Sequence, residues 1–75
     1  MEPVHLYELK KGDKFKFANW KTGEPEQNIY IKGRPNTDRM SGLKSYVTTI
    51  YAPGKPFNGS FTGYVYPDRL VYKVD

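Results

Sequence analysis

Apolar and polar residues alternate along most of this chain, which is the period-two pattern of β-strands with one buried face. The alternation is strictest in Lys14-Phe15-Lys16-Phe17, where both phenylalanines fall on one face and both lysines on the other. Similar alternation, with many β-branched and aromatic residues, predicts four further strands. These cover Asn28 to Lys32, Ser45 to Tyr51, Ser60 to Tyr66 and Leu70 to Val74. The pattern therefore predicts an all-β chain of five strands.

Turn-forming residues separate the predicted strands. The six prolines and seven glycines leave little room for helix. The candidates are a single turn at Pro3 to Lys10, where a 3₁₀ turn or an opening strand fits equally well, and a short helix within Thr37 to Leu43. Two prolines and two glycines in Ala52 to Gly59 argue against the helix that an OB fold usually carries between its third and fourth strands. Five short strands avoid an exposed hydrophobic edge most simply by closing on themselves. We therefore predict a small five-stranded SH3-like barrel with long loops and at most one or two short helical turns.

The alternation also predicts the core of a single domain spanning residues 1–75. With 75 residues, no cysteine and one histidine, the chain has neither a disulfide framework nor the ligands of a structural zinc site. One hydrophobic core must therefore hold the fold alone. Its predicted members are the inward residues of the strands: Phe15, Phe17, Ile29, Ile31, Val47 and Val65.

The run Leu9 to Phe17 (LKKGDKFKF) resembles the Leu-Lys-x-Gly-Asp-x-Phe-x-Phe opening of many small, mostly uncharacterised bacteriophage proteins. More distantly, it resembles the Gly-Asp turn that enters the first strand of KOW-type SH3-like domains. In such a turn Gly12 takes a backbone conformation that other residues avoid, and Asp13 closes the turn with its side chain. The second KOW glycine has no clear counterpart, because Trp20 to Gly23 stands in its place. The resemblance implies a phage-type accessory protein on an SH3-like scaffold.

The net charge of +4 is concentrated in the middle of the chain. Between Lys32 and Lys55 five basic residues stand against one acid, whereas the rest of the chain has seven of each sign. The segment from Lys32 to Lys44 is predicted to be a thirteen-residue loop. Loops of that length are often functional or mobile. Arg34 and Arg39 would point outward toward phosphates or acidic side chains, or the loop would be merely solvated.

Aromatic residues are the second candidate for a binding surface, because a domain this small cannot bury all of its twelve aromatic rings. Trp20 either plugs the barrel, the preferred interpretation, or is an exposed anchor. Exposed tyrosines beside basic loops are typical of single-stranded nucleic-acid platforms and of protein interfaces, although tyrosines also simply cover barrel ends. The candidate binding residues are Lys32, Arg34, Arg39, Lys44, Trp20, Tyr46 and Tyr64.

No catalytic, metal or cofactor motif accompanies these residues. His5 lies in the N-terminal segment, and Glu24 and Glu26 flank a proline in a turn without a cleft. No run of eighteen apolar residues is present. We therefore predict a cytoplasmic, non-enzymatic protein without a small-molecule cofactor or membrane contact that binds and modulates a host or viral protein. The alternative function is binding of single-stranded DNA or RNA by the small β-barrel.

Overall fold

The computed structural model describes residues 2–51 and 61–74, and β-strands dominate both ranges. A single 3₁₀ turn, Leu6–Glu8, follows the first strand. The predicted all-β class is therefore confirmed. The strands are β1 (Val4–His5), β2 (Lys14–Phe17), β3 (Tyr30–Thr37), β4 (Lys44–Ile50), β5 (Phe61–Val65) and β6 (Leu70–Val74).

The strands form one antiparallel sheet of six strands in the order β1-β6-β2-β3-β4-β5. The five predicted strands make a meander from β2 to β5, and β6 returns beside β2. The sixth strand, β1, lies where an opening strand was one of the predicted alternatives, and the 3₁₀ turn that was the other follows it. Strand β1 pairs with β6 through Val4 and Val71 and through His5 and Leu70. Among the described residues no pairing joins β1 to β5, so the sheet is not closed into the predicted barrel.

Strand β3 extends far into the segment predicted to be a loop. The predicted loop from Lys32 to Lys44 is wrong, because β3 runs to Thr37 and β4 begins at Lys44. A register shift between Lys32 and Pro35 bends β3 where it passes β4. Only glycine fits at Gly33, since an added Cβ would lie 2.7 Å from the carbonyl oxygen of Val47. The structure does not describe residues 52–60. The argument against an OB fold, which rests on Ala52 to Gly59, and the predicted start of a strand at Ser60 therefore lie outside the described residues.

The core lies between the N-terminal 3₁₀ turn and the inner face of the sheet. Its buried centre is formed by Leu6, Leu9, Phe15 and Val71. The partly buried side chains packed against this centre are Val4, Phe17, Tyr30, Tyr46 and Val65. Phe15 is thus confirmed as a core residue, and Phe17 and Val65 border the core. Leu6 and Leu9 were missed because they precede the alternating pattern.

The predicted inward face of β3 and β4 is wrong. Phe15 pairs with Tyr30, which places Tyr30 and Lys32 on the inner face and leaves Ile31 on the outer face opposite Lys14. Ile29, Ile31 and Val47 are only half-buried and lie outside the buried centre. Their aliphatic character predicts an inward position, but the register decides the face, since a shift of one residue reverses every side chain.

Lys32 is the central polar residue of the inner face. Its side chain and backbone are only 4% exposed. The Lys32 Nζ donates a hydrogen bond to the carbonyl oxygen of Leu9 and lies 3.9 Å from the centroid of the Tyr46 ring. Desolvation lowers the pKa of the Lys32 amine, and the negative charge of Asp13 partly opposes that shift. Lys32 is therefore a buried structural residue, whereas the sequence predicted a surface cation.

The turn before β2 has the geometry expected from its Gly-Asp pair. Gly12 has a φ of +95°, a conformation that favours glycine. The Asp13 carboxylate accepts a hydrogen bond of 2.8 Å from the N–H of Lys10. The backbone of Lys32 holds this turn against β3, because its carbonyl accepts from Gly12 N–H at 2.8 Å and its N–H donates to Asp13 at 3.0 Å.

Truncation of Leu6 tests the position of the core. Leu6 is fully buried, so Leu6→Ala is expected to lower the free energy of unfolding by about 2 to 5 kcal/mol through lost burial and an unfilled cavity. Urea denaturation followed by circular dichroism measures the change. Met40→Ala is the control, because Met40 is 96% exposed. Equal stability of the Leu6→Ala variant and the parent would place the core elsewhere.

Lys32 gives the fold a predicted pH dependence. Because its pKa is lower in the folded chain than its usual value of 10.5, the unfolded chain binds more protons between those two pKa values. The free energy of unfolding therefore rises with pH across that interval and gains nothing further above it. In Lys32→Met this contribution is missing. Urea titrations from about pH 7 to about pH 11 should thus show the parent gaining stability relative to Lys32→Met as the pH rises.

Lys44→Met provides the control for loss of an exposed lysine. A stability difference between the parent and Lys32→Met that stays constant over the whole pH range would contradict the prediction.

Candidate functional site

Large exposed apolar side chains gather around three neighbouring grooves on one part of the surface. Neighbouring grooves share lining residues, so the three form a continuous series. Trp20 is 81% exposed, and Tyr64 and Tyr66 are 59% and 57% exposed. The exposed apolar residues that line the series are Trp20, Leu43, Tyr64, Tyr66 and Leu70.

The first groove, here named the hairpin groove, lies beside the β3–β4 hairpin and has a volume of about 300 Å³. Ser45 pairs with Asn36, and Val47 pairs with Tyr64. Alternation therefore puts Ser45 and Tyr64 on the same face of the sheet. The residues lining the groove are Asn36, Asp38, Leu43, Ser45, Tyr64 and Tyr66.

The turn that connects β3 to β4 forms a compact wall of the hairpin groove. Asp38 Oδ1 accepts hydrogen bonds from the N–H groups of Met40 at 2.7 Å and Ser41 at 3.2 Å. The backbone of Asp38 donates to Leu43 at 2.9 Å and accepts from Gly42 at 2.8 Å. These hydrogen bonds all lie within the six residues 38–43 that connect the two strands, and they hold Asp38 and Leu43 beside the groove.

The second groove, named the Phe17 groove, has a volume of about 360 Å³ and lies on the other side of the two tyrosines. Its lining residues are Phe17, Tyr64, Val65, Tyr66, Asp68 and Arg69. The guanidinium carbon of Arg69 lies 5.0 Å from the centroid of the Phe17 ring. Phe17 in turn contacts Phe15 and Tyr30, with ring centroids 5.2 and 4.8 Å away. Arg69 therefore stacks on a ring that is anchored in the core.

The third groove, named the Trp20 groove, has a volume of about 530 Å³. It is lined by Pro3, Ala18, Asn19, Trp20, Gly23, Asp68, Arg69 and Leu70. Asn19 Oδ1 accepts hydrogen bonds from Lys21 N–H at 2.8 Å and Thr22 N–H at 3.1 Å. The hydroxyl of Tyr72, on β6, donates to the carbonyl oxygen of Gly23. These bonds hold the loop that presents Trp20 against the sheet.

The structure separates the predicted aromatic candidates. Tyr64 and Trp20 line grooves, so the preferred prediction of a buried Trp20 is wrong. The physical reason is the turn at Asn19, which satisfies the following backbone groups locally and leaves the indole outside the sheet. Tyr46 is half-buried, packs against the core and carries the Lys32 ammonium over its ring. Tyr46 thus packs against the core, whereas Trp20 and Tyr64 stand at the surface.

The predicted basic residues do not form one surface. Lys32 is buried, and Lys44 lies on the opposite face of β4 from Ser45 by strand alternation. Arg34 and Arg39 are exposed, at the bend of β3 and in the hairpin turn respectively. None of the four lines the three grooves described above.

Sequence reasoning missed Asp68 and Arg69, which line two grooves each. They were counted only as part of the balanced charge outside the middle segment. The signal that points to them is local: Tyr64, Tyr66 and Pro67 precede the two charged residues directly, so exposed aromatics, a turn and both signs of charge occur within six residues.

Comparison of the chain with protein-family models, curated proteins and solved structures found no match. In residues 2–51 and 61–74 no three His, Asp or Glu side chains lie close enough together to hold a metal ion. No helix in the same ranges has the length and apolar character needed to cross a bilayer. The candidate site therefore depends on the geometry of the grooves alone.

The Asp38 carboxylate is predicted to stabilise the wall of the hairpin groove. Asp38→Ala removes the acceptor of two backbone hydrogen bonds and should lower the free energy of unfolding by about 1 kcal/mol. Asp38→Asn retains an acceptor oxygen and should keep most of the stability. Urea denaturation of both variants checks the prediction. Equal losses in the two variants would show that the carboxylate charge, and not the hydrogen bonds, matters.

Proposed function

We propose that this protein is a non-enzymatic binding module that takes a protein partner in the hairpin groove and thereby modulates that partner. The observation that carries the proposal is the exposure of Tyr64 and Tyr66 at the wall of the groove. Exposed tyrosines on an ordered strand offer large contact area at a small cost in conformational entropy. Aromatic residues of this kind are enriched in the energetically important centres of protein interfaces.

The charge of the groove favours a protein over a nucleic acid. The charged residue that lines the hairpin groove is Asp38, an acid that repels phosphate groups. Arg34 and Arg39 are exposed on the same hairpin and supply positive charge outside the groove. This arrangement supports a partner that places apolar side chains between the tyrosines and acidic side chains beside the arginines. The exposed arginines also support the alternative, binding of single-stranded DNA or RNA.

The scaffold, origin and location form part of the same proposal. An SH3-like scaffold is supported by the order of the five long strands. Strands β2 to β5 form a meander, and the fifth long strand, β6, returns beside β2. The bend of β3 at Gly33, which redirects the second half of the strand, is typical of strongly curved small sheets. The Leu9 to Phe17 resemblance supports a phage-type accessory protein that acts in the host cytoplasm.

Replacement of both groove tyrosines tests the proposed surface. Tyr64 lies on β5 and Tyr66 directly follows that strand. Tyr64→Thr with Tyr66→Thr removes both rings and places β-branched residues at these positions. Partner capture from lysate of the cells in which the protein occurs should fall more than tenfold, since interface aromatics contribute about 2 kcal/mol or more each. Tyr7→Thr is the matched control, because Tyr7 is 55% exposed and lines none of the three grooves. Unchanged capture by the double variant would refute the proposed surface.

The same assay separates the two partner classes. Capture of a protein should survive nuclease treatment and depend weakly on salt, whereas nucleic-acid binding falls steeply with salt. Charge reversal of Arg34 and Arg39 should weaken binding by either class while leaving the melting temperature almost unchanged, because exposed charges contribute little to stability. Salt-sensitive binding of single-stranded oligonucleotides at low salt, lost in that variant, would favour the alternative.

A further inference from the structure

Two adjacent residues of opposite charge, Asp68 and Arg69, lie where the Phe17 and Trp20 grooves meet. Both side chains line both grooves. The ion pair found in the described parts of the chain joins His5 to Glu8, and neither Asp68 nor Arg69 takes part in a side-chain hydrogen bond there. Both residues are exposed, so one negative and one positive side chain from neighbouring positions are open to solvent.

Arg69 is held in place for a contact with another molecule. Its guanidinium carbon lies over the Phe17 ring, and that ring contacts Phe15 and Tyr30. A guanidinium in a cation–π contact still has N–H donors for a bidentate pair with a carboxylate. Part of the entropy cost of ordering a long side chain is thus met before any partner binds.

The charge pattern selects the kind of partner. A carboxylate that approaches Arg69 also meets Asp68, and a cation that approaches Asp68 also meets Arg69, so a partner with one charge is repelled by one of the two. A partner must present both charges in the opposite order. A second copy of this chain does so automatically when it is rotated by a two-fold axis, because Asp68 of each copy then faces Arg69 of the other.

We propose that the protein forms a two-fold symmetric homodimer through the Trp20 groove, with reciprocal Asp68–Arg69 pairs at the centre. Trp20 and Leu70 supply apolar area beside the charge pairs, which suits an interface with apolar and polar parts. The excess charge of +4 opposes self-association in general. The balanced charges at Asp68 and Arg69 remove that repulsion locally.

The size of the core supports association. Within residues 2–51 and 63–74 few apolar side chains are buried, and small domains commonly gain stability by oligomerisation. The buried apolar residues in those ranges are Leu6, Leu9, Phe15, Val71 and Tyr72. Tyr64 and Tyr66 line the hairpin groove and the Phe17 groove but not the Trp20 groove, so the proposed interface leaves both tyrosines out. A dimer would therefore carry two hairpin grooves, and its existence does not depend on the proposed function.

A charge-exchange experiment tests the dimer. Asp68→Lys makes the patch doubly positive and Arg69→Glu makes it doubly negative, so each variant alone should dimerise at least tenfold more weakly than the parent. An equimolar mixture of the two variants carries complementary patches and should form heterodimers. Sedimentation velocity over a concentration series measures the populations, and native mass spectrometry identifies the heterodimer from its mass.

Glu26→Lys and Lys73→Glu are the controls, because they make the same charge changes at exposed positions outside the two grooves. Both should dimerise as the parent does, and circular dichroism should show that all four variants are folded. A parent that stays monomeric at its highest soluble concentration would overturn the proposal. So would single variants that dimerise like the parent, or a mixture that remains monomeric while the parent dimerises.

Discussion

The buried ammonium of Lys32 is the interaction on which the arrangement of the sheet depends. Lys32 joins three separate parts of the chain. Its Nζ donates a hydrogen bond to the Leu9 carbonyl and lies over the Tyr46 ring of β4, and its backbone is hydrogen-bonded to the Gly12–Asp13 turn. An amine buried without partners would be costly, but here a carbonyl and an aromatic ring replace part of its hydration. The lysine therefore specifies one register between β2, β3 and β4.

That register explains which parts of the fold could be predicted. Alternation, together with the strand-favouring composition of Ser45 to Tyr51, located the five long strands. It did not find the inward face of β3, since Ile29 and Ile31 are more apolar than Tyr30 and Lys32, whereas the structure buries Lys32. Nothing local distinguishes a lysine with a carbonyl partner from a solvated one, and Leu9 is 23 residues away from it. Burial of this kind is a property of the tertiary contacts alone.

The sequence predicts that the candidate site contains exposed aromatic residues, but it does not predict which charged residues lie beside them. A surplus of aromatic rings over core volume indicates exposed tyrosines, and Tyr64 is one of them. The excess positive charge indicated a basic loop, but pairing between β3 and β4 makes much of that segment strand. Of its four cations, Lys32 is buried and Lys44 lies on the face of β4 opposite the hairpin groove. Asp38, the acid of the segment, lines the groove instead because its carboxylate closes the hairpin turn.

Phe17 shows why the surface and the core of so small a domain cannot be separated. One side of its ring contacts Phe15 and Tyr30, and Arg69 lies over the ring at the floor of a groove. A side chain that contacts both regions connects the lining of the groove directly to the packing of the core. It follows that a ligand held by Arg69 stabilises the Phe17 packing as well, since any molecule that binds only the folded chain shifts the folding equilibrium. Arg69 therefore links the groove to the stability of the fold through the one ring that it shares with the core.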